Sequence, residues 1–148
     1  MIRKATQDDL PGLARLFDAY RVFYRKESDL EAASDFLSQR MKNNDSVVYV
    51  AESDQELAGF VQLYPLFSST RMQRLWLLND LFVSPDFRGK GISVQLIDQA
   101  KELARQTNAA GLTLETEKSN VIGNQLYPRT GFDADDAHTC YFWENKER

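Results

Sequence analysis

The chain has 148 residues, with 43% hydrophobic and 27% charged, so it can build one ordinary globular core and is read as a single domain over 1–148. The formal net charge of −4 argues against a general nucleic-acid binder, and no apolar run is long enough to cross a bilayer. Cys140 is the single cysteine, which rules out an internal disulfide and a thiolate metal cluster.

The opening "MIRKATQDD" turns acidic at once and lacks an apolar signal region, which points to the cytoplasm. Met1–Ala5 reads as a short strand. Thr6 followed by Asp9 forms a capping box with Asp in place of Glu. Leu10, Leu13, Phe17, Tyr20 and Tyr24 recur at helical spacing. Asp29 is placed to cap a second helix, which stops near Asn43 and Asn44. "SVVYVAE" and "LAGFVQLYPLF" flank the polar turn Ser53–Glu56 as a hairpin. "RMQRLWLLNDLFV" is a third long strand. Val94, Leu96, Ile97, Ala100, Leu103 and Ala104 mark one helix face, "GLTLET" a strand, Asn120–Arg129 a short helix and "HTCYFWE" a final strand. The order is strand, two helices, three strands, helix, strand, helix, strand: a mixed α/β domain.

Between the third long strand and its helix lies "FVSPDFRGKGIS". It fails the P-loop pattern, because Gly91 follows Lys90 where Ser or Thr is needed. It also fails the dinucleotide pattern, because position 94 is Val. The physics behind both patterns still applies. A helix N-terminus offers free N–H groups and a positive dipole end, and glycines admit close backbone approach. Arg88 and Lys90 add charge suited to a phosphate.

"LNDLFVSPDFRGKGIS" together with "NVIGNQLYPRTGF" resembles the GNAT superfamily of N-acetyltransferases. Arg88, Gly91 and Ser93 fall on the fixed positions of its R/Q-x-x-G-x-G/A pattern, with Ser93 a small departure. Asn120, Leu126-Tyr127 and Gly131-Phe132 match its second pattern, and "IRKATQDDLPGLARLF" looks like its opening strand and helix. The resemblance implies a mixed, mostly antiparallel sheet of six to seven strands, splayed after the fourth strand and flanked by about four helices. It implies acetyl-CoA as cosubstrate, no metal, a primary amine on a small molecule as acceptor, and a homodimer. Backbone groups of Leu81, Phe82 and Val83 would pair with the pantetheine arm. The segment Arg88, Gly89, Lys90, Gly91, Ile92 and Ser93 would cradle the pyrophosphate, and Asn120 would contact the cofactor arm. Protein lysines or N-termini as acceptors, or a non-catalytic acyl-CoA-binding module, are the alternatives.

The implied reaction sets two tasks. An alkyl amine has a pKa of about 10.4 and must lose a proton before it attacks a thioester, and the thiol leaves better if protonated. Tyr127 is the candidate acid. Asp80, among Leu, Trp and Phe, is the candidate base. Strand alternation sends Asn79 and Asp80 to opposite faces, so only one would meet the acceptor. Asn79 and Tyr24 are candidate substrate contacts, with Tyr20, Arg25, Tyr64 and Phe67 as further lining. "LNDLFVSPDFRGKG" looks closest to the diamine (spermidine/spermine) acetyltransferases, where an acidic residue occupies the place of Asn79. Glu115 and Glu117 can also bind a cation. A rival chemistry is a nucleophile from Cys140 with His138, two apart on a strand, but a lone cysteine among aromatics is expected to be buried and inert. Pro128 is expected to distort the last helix locally without ending it.

Overall fold

The computed structural model describes residues 1–147. They form two compact units, Met1–Glu115 and a second that starts at Thr116.

The first unit opens with β1 (Ile2–Lys4) and a 3₁₀ turn (Gln7–Asp9). The Asp9 carboxylate accepts the Thr6 N–H at 2.7 Å, the half of the capping box that carries an acid. Helices α1 (Leu10–Phe23) and α2 (Leu30–Asn43) follow. Asp29 caps α2 by accepting from the Ala32 N–H at 3.1 Å, and Asn44 ends it in the left-handed conformation, φ 51°. Strands β2 (Val47–Ser53), β3 (Glu56–Ser68) and β4 (Gln73–Val83) lead to α3 (Ile92–Gln106) and β5 (Leu112–Thr113).

Among the described residues the sheet has five strands in the order β1-β2-β3-β4-β5. The first three neighbouring pairs are antiparallel and β4–β5 is parallel. One face carries Val48, Val50, Phe60 and Phe82, which pack on Leu13, Phe17, Ala33 and Leu37 of α1 and α2. Against the sheet α3 brings Leu96, Ile97 and Ala100, all buried.

Two features of β4 depart from a plain strand. Its pairing with β5 covers only Trp76–Leu112 and Leu77–Thr113, so among the described residues Leu78–Val83 have no ladder partner on that side. On the other side the register jumps: Leu63 faces Leu78, but Gln62 faces Asp80. Asn79 is the extra residue of a β-bulge.

In the second unit, α4 (Val121–Arg129) is capped by Asn120, whose Oδ1 accepts the Gly123 N–H at 3.2 Å. Pro128 lies inside α4, and the helix runs on one residue past it, where Thr130 closes the end by donating N–H and Oγ–H to the Leu126 carbonyl. The expected strand at 138–144 does not form, so among the described residues the sheet has five strands and not six or seven. A strand-prone sequence forms no ladder without a neighbour to complete it.

Candidate active site

The end of β4 flows into a 3₁₀ turn (Pro85–Phe87) and then the glycine segment. Gly89 and Gly91 both take positive φ, 79° and 77°, where side chains are disfavoured. A β-carbon placed at either would meet no atom within 4 Å, so open space lies beside the loop. The first helical bond of α3 runs from the Gln95 N–H to the Gly91 carbonyl at 3.2 Å. The N–H groups of residues 92–94 therefore have no carbonyl to meet within the helix, and they sit at its positive dipole end. This arrangement can bind an anion through backbone N–H groups. The cations flank it. Arg88 folds back, its Nε donating to the Val83 carbonyl at 3.0 Å and its guanidinium 5.6 Å from the Phe82 ring centre. Lys90 Nζ lies 5.3 Å from the Phe87 ring centre. In this structure Arg88 ties the loop to the strand end.

Asp80 is 4% exposed. Gln62 Nε2 donates to its Oδ2 at 2.8 Å, and Asn79 Nδ2 donates to its Oδ1 at 3.1 Å. Burial raises the Asp80 pKa, and hydrogen bonds from Gln62, Asn79 and Tyr20 pull the other way. Asn79 and Asp80 thus lie side by side, which overturns the expectation of opposite faces. The physical reason is the bulge, which inserts one residue and breaks the alternation. The Tyr20 hydroxyl donates to the Asn79 carbonyl at 3.3 Å. Its ring packs edge-on against Phe60, Phe82 and Tyr24, at 5.9, 6.1 and 5.1 Å. Tyr64 is pushed up to about 12, first by burial and then by the negative charge of Asp80. Tyr20, Tyr24, Asn79 and Asp80 therefore gather in one cluster. Gln62 and Ser46 also belong to it, and sequence reasoning missed both. The signal was present, since Gln62 is the one polar residue in "AGFVQLYP".

Tyr127 stands on α4, half-buried, its ring edge-on to Phe132 at 5.7 Å. Asn120 serves as a local brace here: besides capping α4, its Nδ2 donates to Thr116 Oγ1 at 2.9 Å. Phe67 and Arg25 are exposed. Cys140 is exposed and not buried as expected, and His138 is bound to Asp135 at 2.6 Å. Residues 138–140 form no strand, so the shared strand face required by the Cys140–His138 nucleophile is missing. Among the described residues, no helix is long and apolar enough to cross a membrane.

Residues 13–132 match the acetyltransferase (GNAT) family. The chain belongs to this family. As a GNAT acetyltransferase it is an acyltransferase enzyme. It is 45% identical to the uncharacterized N-acetyltransferase YhfO of Bacillus subtilis, over 95% of this chain and 94% of that one. The crystal structure of a probable acetyltransferase superposes with a TM-score of 0.93 at 36% identity, over 100% of this chain and 99% of the other. A predicted acetyltransferase from Clostridium acetobutylicum, solved with acetyl-CoA, shares the fold at a TM-score of 0.78 and 19% identity, over 96% and 95% of the two chains. The matched range includes β4, the glycine loop and α3.

Proposed function

We propose that this GNAT enzyme transfers an acetyl group from acetyl-CoA to a primary amine on a small molecule, by direct attack within a ternary complex. The observation that carries the reading is the continuous run from the free edge of β4, through two left-handed glycines, to the N-terminus of α3. The edge of β4 at Leu81–Val83, which has no β5 partner among the described residues, suits an amide-bearing arm, which adds to a strand edge as a peptide does. The N–H groups from Arg88 to Ser93 suit a pyrophosphate. Ser93 is small enough for close approach.

In this reading the amine nitrogen bonds to the acetyl carbon and the carbon–sulfur bond breaks. The amine's proton goes to the Asp80 carboxylate. The Tyr127 hydroxyl gives its proton to the departing sulfur. Burial raises the basicity of Asp80, which suits a proton acceptor. Asn79, Tyr20 and Tyr24 line the acceptor side. The finer likeness to diamine acetyltransferases has weaker support, because Asn79 offers no second carboxylate for a second ammonium group. Tyr141, Phe142 and Trp143 are almost fully exposed, and we assign their cover to a second copy of the chain. Trp143→Ser should shift the chain from dimer to monomer in light scattering, and a wild-type monomer would remove that assignment.

The test of function is acetyl-CoA-dependent thiol release across polyamines, aminoglycosides, amino acids and lysine peptides, with a no-acceptor control. Release with one small-amine class supports the reading. Release with lysine peptides alone, or none while acetyl-CoA still binds, would replace it with a protein acetyltransferase or a binding module.

A further inference from the structure

A chain of side-chain hydrogen bonds runs from the loop after α2 into the core beside Asp80. Ser46 Oγ donates to Gln62 Oε1 at 2.9 Å, and Gln62 Nε2 donates to Asp80 Oδ2 at 2.8 Å. Gln62 is completely buried, at 0% exposure, on a strand that is otherwise apolar here. A buried glutamine is costly unless both ends of its amide are satisfied. One end accepts and the other donates, so the two partners decide which way the amide points. Ser46 offers its hydroxyl proton to the oxygen end. The nitrogen end then faces Asp80. From the opposite side the Asn79 amide donates to the second carboxylate oxygen at 3.1 Å. Both oxygens are held by N–H donors, and such donors favour a carboxylate over a carboxylic acid.

We propose that Ser46 and Gln62 are positioning residues, a clamp that holds the Asp80 carboxylate ionised and in one orientation for an incoming amine. The proposal rests on the reading of Asp80 as proton acceptor. It extends the site to two residues that touch neither substrate nor acetyl-CoA in this account. The clamp reaches the surface through Ser46, two residues past the left-handed Asn44 that ends α2. The sequence has no motif for it, because the contact is made only when the bulge at Asn79 turns Asp80 onto the face of Gln62.

Other titratable or charged groups face this carboxyl. From α1, the Tyr20 hydroxyl hydrogen-bonds it. From β3, the Tyr64 phenol feels its charge. From the α2 side, Arg40 is paired with Asp45 at 2.9 Å and acts on Tyr64. Burial, and next the charge of Asp80, push the Tyr64 phenol up to about 12, so it holds its proton.

The test compares wild type with Ser46→Ala, Gln62→Met and Asp80→Asn. Two readouts are taken on the full chain: the pH profile of kcat/KM with the best acceptor from the amine panel, and the carbon-13 titration of the Asp80 carboxyl. Gln62→Met removes an N–H donor to a charge and should move the acidic limb of the profile, and the carboxyl titration, toward higher pH. The rate at the acidic end should fall at least about tenfold and recover as pH rises. The KM for acetyl-CoA should hold. Ser46→Ala frees the amide to rotate and should shift both readouts in the same direction by less. Ser46 is only part-buried, so this variant folds even if Gln62→Met does not. A carboxyl titration that stays at the wild-type position in the folded variants overturns the clamp, even where Asp80→Asn is inactive. Full turnover by Asp80→Asn overturns the proton-acceptor reading instead.

Discussion

Replacing Gly91 by Ala separates the backbone geometry of the glycine loop from its chemistry. Gly91 sits at φ 77°, so an alanine there carries left-handed strain. Its new methyl meets no protein atom within 4 Å, so no clash adds to that strain. The cost is then the left-handed penalty alone, about 1–2 kcal/mol. For a chain of this size that lowers Tm by roughly 2–6 °C in the absence of ligand. The space the methyl enters is where the pyrophosphate should lie. Displacing it from even one backbone N–H forfeits a charge-assisted hydrogen bond, on the order of tenfold or more in affinity. Thermal melts without ligand and calorimetric titration with acetyl-CoA measure the two effects separately. Gly91→Asn is the control, because Asn tolerates positive φ better while still filling the space. It should recover much of the Tm and little of the affinity. A Gly91→Ala protein that loses stability but binds acetyl-CoA as the wild type does would refute the cradle.

Three further outcomes follow from named contacts. Arg3 holds Asp9 through two bonds of 2.8 Å, and its guanidinium draws the carboxyl from 3.8 down to about 2. Because the folded value lies below the unfolded one, the stabilisation is present above pH 4 and disappears as pH falls through about 2. Asp9→Asn should therefore cost about 2 kcal/mol in urea unfolding at pH 7 and nearly nothing at the acid end; equal losses at both would exclude the ion pair as the cause. Gly59→Ala would put a β-carbon 2.7 Å from the Phe82 carbonyl oxygen, so β4 must shift at the backbone assigned to the pantetheine arm. Stability should fall by about 1–3 kcal/mol and the KM for acetyl-CoA should rise, and an unchanged KM would argue against that edge as the cofactor's partner. Tyr127→Phe keeps the ring packing with Phe132 and removes only the hydroxyl. Turnover should drop by about a hundredfold or more with acetyl-CoA affinity intact, and undiminished turnover would remove the acid role.

The sequence showed the helices well because their faces and ends are local. Leu13, Phe17, Ala33 and Leu37 recur at the helical period, and Asp29 and Asn44 mark a start and a stop by their own backbone chemistry. The left-handed glycines were legible for the same reason, since Gly89 and Gly91 stand where a strand must turn into a helix. Strand pairing was less legible. "HTCYFWE" has strand composition, yet a strand is defined by its neighbour, and no ladder forms there. The relation of Asn79 to Asp80 failed for a related reason. Alternation assumes an unbroken register, and a bulge is set by two strands together.

That bulge links fold to chemistry. Without the extra residue, β4 would keep Leu78 and Asp80 on the same face, and Asp80 would point away from Gln62 and Tyr20. With it, Leu78 stays opposite Leu63 while Asp80 turns to Gln62, among the aromatic rings of Phe60, Phe82 and Tyr20. A carboxylate can then be held in a desolvated place without being stranded, because two amides bind it. Among the described residues the same strand loses its β5 partner after Leu77, so one edge of it lacks a ladder where the side chains gather. A free strand edge and a basic carboxylate within one short segment are what a thioester and an amine need to meet. Polar groups placed at random in a core would lack both. The arrangement therefore favours a site over a structural accident, and turnover by Asp80→Asn at the wild-type rate is the result that would reverse that judgement.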